Sequence, residues 1–464
     1  MADWSAGGLR VAVIGGGIAG LAAARRLESV APDIEVLLVE RDDALGGKLR
    51  TEHVDGFVIE AAADSFLSRK ERGVGLVEEL GLGAELIARR PENHRTFVRR
   101  GDELYPLPEG LTAMIPSNLE ALERSVLLSS EGKLRFASEV EVPPATGDED
   151  ESVASFVSRR FGREAYETLV EPLMTGIYGG DGEQLSLRAT FPQLRVLELE
   201  HGSILRGLSA PLPSDRPPFL SLRAGMGSLV SALVKGLQST EIRLRRGAVR
   251  VAHAATGYEV ELDDGERLDV DGVVVATPAF VTAELLADLD AELAAAHAAI
   301  PYSSSVVVTF AFSADHVHLT DGYGYVVPRV EGTDVLACTW TSQKWDGRAP
   351  HGTVLIRVYA GRFGGRDLTI EPDEELVVLA RTEVGRVGIA GEPVLTRIQR
   401  WPLGMPQYVL GHPERLGQID AALAEHPGLA VAGAAYRGVG IPDCIRSGES
   451  AAESVTRAFA AARA

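Results

Sequence analysis

Leu9-Arg-Val-Ala-Val-Ile14-Gly15-Gly16-Gly17-Ile18-Ala19-Gly20 begins with an apolar run, Val11 to Ile14, passes straight into glycines, and continues into an Ala/Leu-rich stretch, Leu21 to Glu28. A short buried strand, a glycine turn and a helix satisfy that pattern. Gly15 would turn the chain sharply, Gly17 would let the backbone approach a pyrophosphate, and Gly20 would let the helix lie close on its strand. Gly16, Ile18 and Ala19 complete the turn and the helix start, whose free N–H groups face phosphate. Beyond Pro32 a second apolar run, Val36 to Val39, ends on Glu40, about 20 residues past Gly20, where a carboxylate accepts ribose hydroxyls. An acid there favours an unphosphorylated adenosine ribose, as in FAD or NAD, over NADP.

At 464 residues the chain is long enough for two or three domains. Its 45% hydrophobic and 24% charged residues belong to an ordinary globular protein with a substantial core. Cys338 and Cys444, the two cysteines, make no disulfide framework, which fits a reducing cytosol and a cytoplasmic location. The first residues show no basic-plus-apolar leader, and runs such as Val273 to Ala276 and Val306 to Phe312 are strand-length, far short of the ~20 residues that span a bilayer. A net charge of −20 disfavours nucleic acid and anionic membrane surfaces as partners.

Arg41-Asp-Asp-Ala-Leu-Gly46-Gly47-Lys48 is a second glycine turn. Following a nucleotide-binding βαβ unit, it resembles the flavoproteins of the amine oxidase superfamily, in which the double glycine and the next basic residue line FAD. The segment Glu60-Ala-Ala62-Ala63-Asp64-Ser65-Phe66-Leu-Ser-Arg69-Lys70 makes the resemblance specific, being similar to the protoporphyrinogen/coproporphyrinogen oxidase family. Ala62 and Ala63 stand where that family often has glycine and proline. Glu171-Pro-Leu, Gly176-Ile177-Tyr178-Gly-Gly-Asp181 and Leu185-Ser186 are similar to further runs of the same family.

The rest of the chain is expected to alternate between two lobes. A hairpin around Gly101-Asp102 opens the second; residues 111–136 and 152–170 have helical spacing, joined by an acidic, solvated loop that ends in a Ser152 cap. Segments around 242–251 and 258–262 read as an antiparallel meander, Gly272 to Val275 as a buried strand, and 284–298 as a helix. Strands recur to Trp401 and would wall a large pocket. The chain closes on Leu429 to Ala432, a glycine loop with Val439, Gly440 and Ile441, and Pro442 at the start of an Ala-rich helix, a second phosphate- or flavin-facing helix start. The expected fold is α/β: a discontinuous Rossmann-like FAD-binding domain (1–75, 216–290, 403–464), a mixed-sheet substrate domain (76–110, 291–402) and a helical insertion (111–215).

The resemblance implies the chemistry: oxidation of coproporphyrinogen III to coproporphyrin III in haem biosynthesis, a six-electron change with O2 as acceptor giving hydrogen peroxide. A flavin supplies the redox step, so no acid/base pair is demanded. It also implies that Asp64 and Ser65, Val249 near the adenine, and Trp401 beside the flavin join the glycines and Glu40, Arg41 and Lys48 at non-covalent FAD. A tetrapyrrole with four propionates needs local cations on so acidic a protein. Lys70 and Arg69 are the leading candidates, with Tyr178 and Ile177 along the ring face. Arg95, Arg99, Arg100, Arg159 and Arg160 stand in settings where basic residues are usually surface charge. His316 and His318 read as an exposed strand edge, and no metal site is expected. Protoporphyrinogen IX is the alternative substrate; another flavin amine oxidase or desaturase, or an idle FAD-binding protein, stands further off. Transient contact with a downstream ferrochelatase is an expectation for a partner.

Overall fold

The computed structural model describes residues 8–147, 149–208 and 216–463. The first seven residues, on which the absence of a leader was read, and the insertion's far boundary at 215 lie outside them.

The apolar runs at 11–14 and 36–39 form adjacent strands of a five-stranded parallel sheet in the order Glu241–Leu244, Glu35–Glu40, Arg10–Ile14, Gly272–Val275, Leu429–Val431. Three separated parts of the chain thus build one sheet. Its strands are apolar throughout because both faces are covered. Val11, Val13, Val36, Leu38 and Val274 face the helices Ile18–Val30, Gly227–Gly236 and Ile441–Arg463, whereas Ala12, Ile14, Leu37, Val39 and Val275 face the meander 248–270 and the helices Ala279–Leu286 and Ala291–Ala298.

The second sheet has seven strands, ordered Leu395–Pro406, Tyr302–Ser313, Thr353–Ala360, Val335–Trp340, Gly324–Val326, Phe97–Arg100, Glu103–Pro106. Only the pair Gly324–Val326 with Phe97–Arg100 is parallel, so the sheet is mixed. One face, with Phe310, Ile356, Val358 and Trp340, is sealed by the helix Asp373–Arg386. The other is covered only at its ends. Val98, Val326 and Ala337 meet the helices of residues 119–208, and Ala311 and Leu355 meet the hairpin Thr51–Glu60. Between these covers the register places Tyr359, Arg357, Thr339 and Trp401 together on that face.

Local capping divides several expected helices. Within 111–136 a two-stranded turn precedes Leu119–Arg124 and Ser130–Ala137, because the side chains of Asn118 and Ser129 each accept a helix-starting N–H. The helix expected over 284–298 starts at Ala279 and breaks at Asp290, whose carboxylate accepts the N–H groups of Glu292 and Leu293 at 2.9 Å. Ser152 caps Val153–Phe161, but Gly162, at φ +96°, ends that helix, and Tyr166–Val170 continues as a π turn ahead of Pro172, which has no N–H to give.

Two expectations, one from charge and one from histidine spacing, are corrected. Arg99 is fully buried between Glu383 and Glu331, and Arg160 between Glu139 and Glu198, so these arginines are core ion pairs and not surface charge. The acidic loop is pinned at its end, where Asp150 accepts from Ser186 Oγ at 2.7 Å and Glu151 pairs with Arg159 and Arg195. Ala314–His316 is a 3-10 turn with His318 in irregular chain beyond it, so the two histidines lie on no strand. No cluster of metal-ligating side chains occurs among the described residues.

Candidate functional site

The two glycine turns meet. Gly46 N–H donates to Gly16 carbonyl oxygen at 2.8 Å, Gly17 and Gly46 form a parallel bridge, and Gly47 lies with its Cβ direction 3.4 Å from Gly17 Cα. The glycines do different work. A Cβ on Gly20 would stand 1.9 Å from the carbonyl oxygen of Gly15, so this residue lets the helix sit on the turn; Gly15, at φ +104°, would strike Ala276 oxygen at 2.8 Å. A Cβ on Gly17 would meet nothing within 4 Å. Its lack of a side chain therefore keeps an opening clear at the start of helix Ile18–Val30, whose first N–H groups have no side-chain cap.

Glu40 Oε2 accepts Gly16 N–H at 2.6 Å and Oε1 accepts Asp42 N–H at 2.9 Å, which fixes the carboxylate beside that opening. Arg41 is exposed next to it. Arg50, which the sequence did not flag, donates to Gly47 carbonyl oxygen at 2.9 Å and to Asp42 at 2.8 Å, holding the second turn in place. Lys48 is open to solvent yet ringed by protein, and burial pulls its ammonium below the usual lysine range, with only the Cys444 thiol opposing. A side chain both exposed and desolvated lines an interior crevice. Glu40→Gln should raise the Kd for FAD about tenfold, the loss of one charge-assisted hydrogen bond, read by titrating apoprotein against flavin fluorescence.

The strip Ala61–Ala63 is held from that face of the mixed sheet. Trp401 Nε1 donates to Ala61 carbonyl oxygen at 3.0 Å, and Arg357 donates to that of Ala62. Neither Ala62 nor Ala63 has a positive φ, so alanine serves where the family often has glycine. Asp64 is held from the mixed sheet and the helix after it: it takes both oxygens to Lys344 Nζ at 3.0 Å, accepts Trp345 Nε1 at 3.0 Å and Ser65 Oγ at 2.7 Å, and lies 4.0 Å from Arg357. Burial alone would raise its pKa; Lys344, Arg357 and the Trp345 hydrogen bond outweigh that and hold it well below the carboxylate range. Lys344, Trp345 and Arg357 were missed by the sequence reading. A lone arginine inside the apolar strand Val354-Leu-Ile-Arg357-Val was the available signal, since such a charge is buried only with a partner.

At the far side, the helix Glu171–Tyr178 ends at Gly179 in the left-handed region. Ile177 is 47% exposed, whereas Tyr178 is buried edge-on against Phe191 at 5.8 Å and beside Tyr408 at 6.3 Å. Tyr408 Oη accepts Gly438 N–H at 2.9 Å and donates to Ala434 carbonyl oxygen at 2.6 Å, tying this wall to the last glycine loop. In that loop Val439 leans on the insertion's core, Ile441 is buried, and Gly440 N–H donates to Asp443 Oδ2 at 3.2 Å. Val249 sits at an irregularity of its strand and is half exposed. Arg69 is exposed, and Lys70 Nζ lies 2.5 Å from Asp443 Oδ2.

A parallel nucleotide-binding sheet carrying two joined glycine turns, a carboxylate at the end of its second strand and a second helix start, set against a mixed sheet, defines an FAD-dependent oxidoreductase. The residues present fit the cofactor: the clear opening at Gly17, the uncapped helix N–H groups and Glu40 form a cradle that a side chain would fill. The chain belongs to the flavin containing amine oxidoreductase family, whose model matches residues 18–456. It is 36% identical to coproporphyrinogen III oxidase of Bacillus subtilis (strain 168), across 96% of this chain and 98% of that one, and 34% identical to coproporphyrinogen III oxidase of Staphylococcus aureus over the same shares. The crystal structure of a candidate protoporphyrinogen oxidase from Exiguobacterium sp. 255-15 superposes with a TM-score of 0.87 at 33% identity, covering 96% of this chain and 98% of that one. No helix among the described residues is long and apolar enough to cross a membrane.

Proposed function

We propose that this enzyme oxidises coproporphyrinogen III to coproporphyrin III, with O2 as acceptor, in the cytoplasm. The observation that carries the reading is near-full-length kinship, at 34–36% identity, with coproporphyrinogen III oxidases. Bound FAD supplies the hydride acceptor. The chain's part is to hold it, through the N–H groups at Ile18–Gly20, Glu40, the turn Gly46–Lys48, the strip Ala61–Ala63, Trp401, Val249 and the loop Val439–Ile441. It must also present the porphyrinogen.

Lys70 and Arg69 provide cations where the net charge of −20 would otherwise repel a tetra-anion. Salt screens that repulsion beyond about 8 Å, so binding is decided by contacts at close range. Burial pushes the Tyr178 phenol up, with the Asp443 carboxylate adding to the effect, so at neutral pH it stays protonated and serves as a wall and not as a base. Product passing to a downstream ferrochelatase belongs to the same reading.

Supplying the FAD-loaded protein with coproporphyrinogen III and, separately, protoporphyrinogen IX should give porphyrin fluorescence and hydrogen peroxide from both, the first at least ~10-fold faster, a difference of about 1.4 kcal/mol in transition-state binding. Retained FAD with no turnover of either porphyrinogen would overturn the proposal. A preference for protoporphyrinogen IX would move the assignment to that substrate.

A further inference from the structure

Beside the start of helix Glu71–Glu79 and the start of helix Ile441–Arg463 lies a surface cavity of about 320 Å³, far smaller than a cofactor site, whose wall carries four cations against two carboxylates. On a chain of net charge −20 this is a local reversal of sign. The cations are not equivalent. Arg72 is committed, to Glu449 and to Glu79. Lys70 spends one of its three N–H donors on Asp443, at 2.5 Å, and its side chain remains 40% exposed. Arg69 and Arg446 are exposed and make no ion pair among the described residues.

Asp443 connects this mouth to the interior. Its side chain is only 17% exposed, and its Oδ2 both pairs with Lys70 and accepts Gly440 N–H from the last glycine loop. Its charge is felt by Tyr178 on the wall of the crevice and by buried Cys444, whose thiol burial and Asp443 together push up to about 12 against the opposing pull of Lys48 and Lys70. Glu71, the mouth's other carboxylate, makes no hydrogen bond or ion pair with Lys70 among the described residues and sits in the first turn of its own helix, where the helix N-terminus favours it.

We propose that the mouth is a two-carboxylate subsite in which Asp443 occupies on Lys70 the place a substrate carboxylate takes, while Arg69 and Arg446 receive a neighbouring carboxylate. This rests on the porphyrinogen reading above and deepens it: the subsite counts carboxylates, and so selects a tetracarboxylic porphyrinogen over a dicarboxylic one. Asp443 then acts as an internal competitor. It keeps Lys70 oriented before substrate arrives, and it must yield the ammonium when a propionate enters. Arginine suits the second position because its planar fork matches a carboxylate with two parallel N–H donors. The cavity's size admits carboxyalkyl arms and leaves the ring in the crevice beside Tyr178 and Ile177.

The test is equilibrium binding of the product porphyrins to the FAD-loaded full chain, followed by fluorescence at low salt, with flavin absorbance checking each variant for retained cofactor. For Arg69→Gln/Arg446→Gln the Kd for coproporphyrin III should rise at least ~10-fold while that for protoporphyrin IX changes less than ~3-fold, the span expected for losing one charge-assisted contact. For Asp443→Asn, which keeps an acceptor for Gly440 N–H, coproporphyrin III should bind ~3-fold or more tighter. Equal weakening of both porphyrins, no weakening, or weaker coproporphyrin III binding by Asp443→Asn with FAD retained would overturn the subsite. Wild-type protein that turns over coproporphyrinogen III while these variants behave as wild type refutes the subsite alone; wild-type protein that neither binds nor oxidises either porphyrin refutes the reading beneath it.

Discussion

Gly20→Ala should give a chain recovered in low yield and without flavin colour. The added Cβ would sit 1.9 Å from the carbonyl oxygen of Gly15, and both partners are backbone, so no rotamer change relieves the overlap. Helix Ile18–Val30 would have to lift from the turn. It is also held on its other side, because a Cβ on Gly448 of helix Ile441–Arg463 would stand 2.0 Å from Ala19 oxygen, so those two helices already touch backbone to backbone. Overpacking of this kind costs ~3 kcal/mol or more, and the displaced N–H groups are those we propose to face the pyrophosphate. The measurement is the flavin absorbance per mole of purified protein together with its melting temperature. Wild-type flavin content and melting temperature would show that the helix can move without loss, and would remove Gly20 from the cradle.

Asp64→Ala should be the most destabilising side-chain truncation near the crevice. Lys344 and fully buried Arg357 would lose their common counter-ion, and an uncompensated buried charge costs ~3–5 kcal/mol. Two guanidinium nitrogens of Arg357, Nε and Nη1, already lack a hydrogen-bond partner. Asp64→Asn should lose most of the same amount, since it keeps the shape but not the charge, and Lys344→Met added to Asp64→Asn should restore part of it. Urea unfolding of wild type, Asp64→Asn, Lys344→Met and the double variant would measure the coupling. The pH dependence has a definite sign. The folded pKa of Asp64 lies below its unfolded value, near 3.9, so its contribution is complete above that value and is lost as pH falls through the depressed folded pKa. The gap between wild type and Asp64→Asn should therefore be flat from neutral pH down to about 4 and narrow below it.

The nucleotide-binding βαβ unit was legible because its determinants are local. A strand, three glycines, a helix start and an acid about 20 residues on form one continuous unit whose geometry follows from its own backbone. The strip 60–64 was legible as a segment but not in its supports. Asp64 is paired with Lys344 and Trp345, some 280 residues later in the chain, and nothing in the spacing of residues 60–70 foretells partners at that remove. Basic pairs were misread for the same reason: Arg99 and Arg160 look like surface charge until Glu383 and Glu139 are folded over them. The split of the expected helices followed single capping side chains, Asn118, Ser129 and Asp290, which hydropathy averages away.

By itself the sequence determined the α/β class, the FAD cradle, and a family resemblance strong enough to name the reaction. These depend on residues adjacent in the chain, or on apolar periodicity that one face of an element must satisfy. Only the tertiary structure decided which face of the mixed sheet lies behind Ala61–Ala63, that Lys70 is engaged by Asp443, and that Arg69 and Arg446 share its mouth. Those are encounters between groups hundreds of residues apart. Their energy comes from desolvation and charge at a distance of a few ångströms, which sequence separation does not encode.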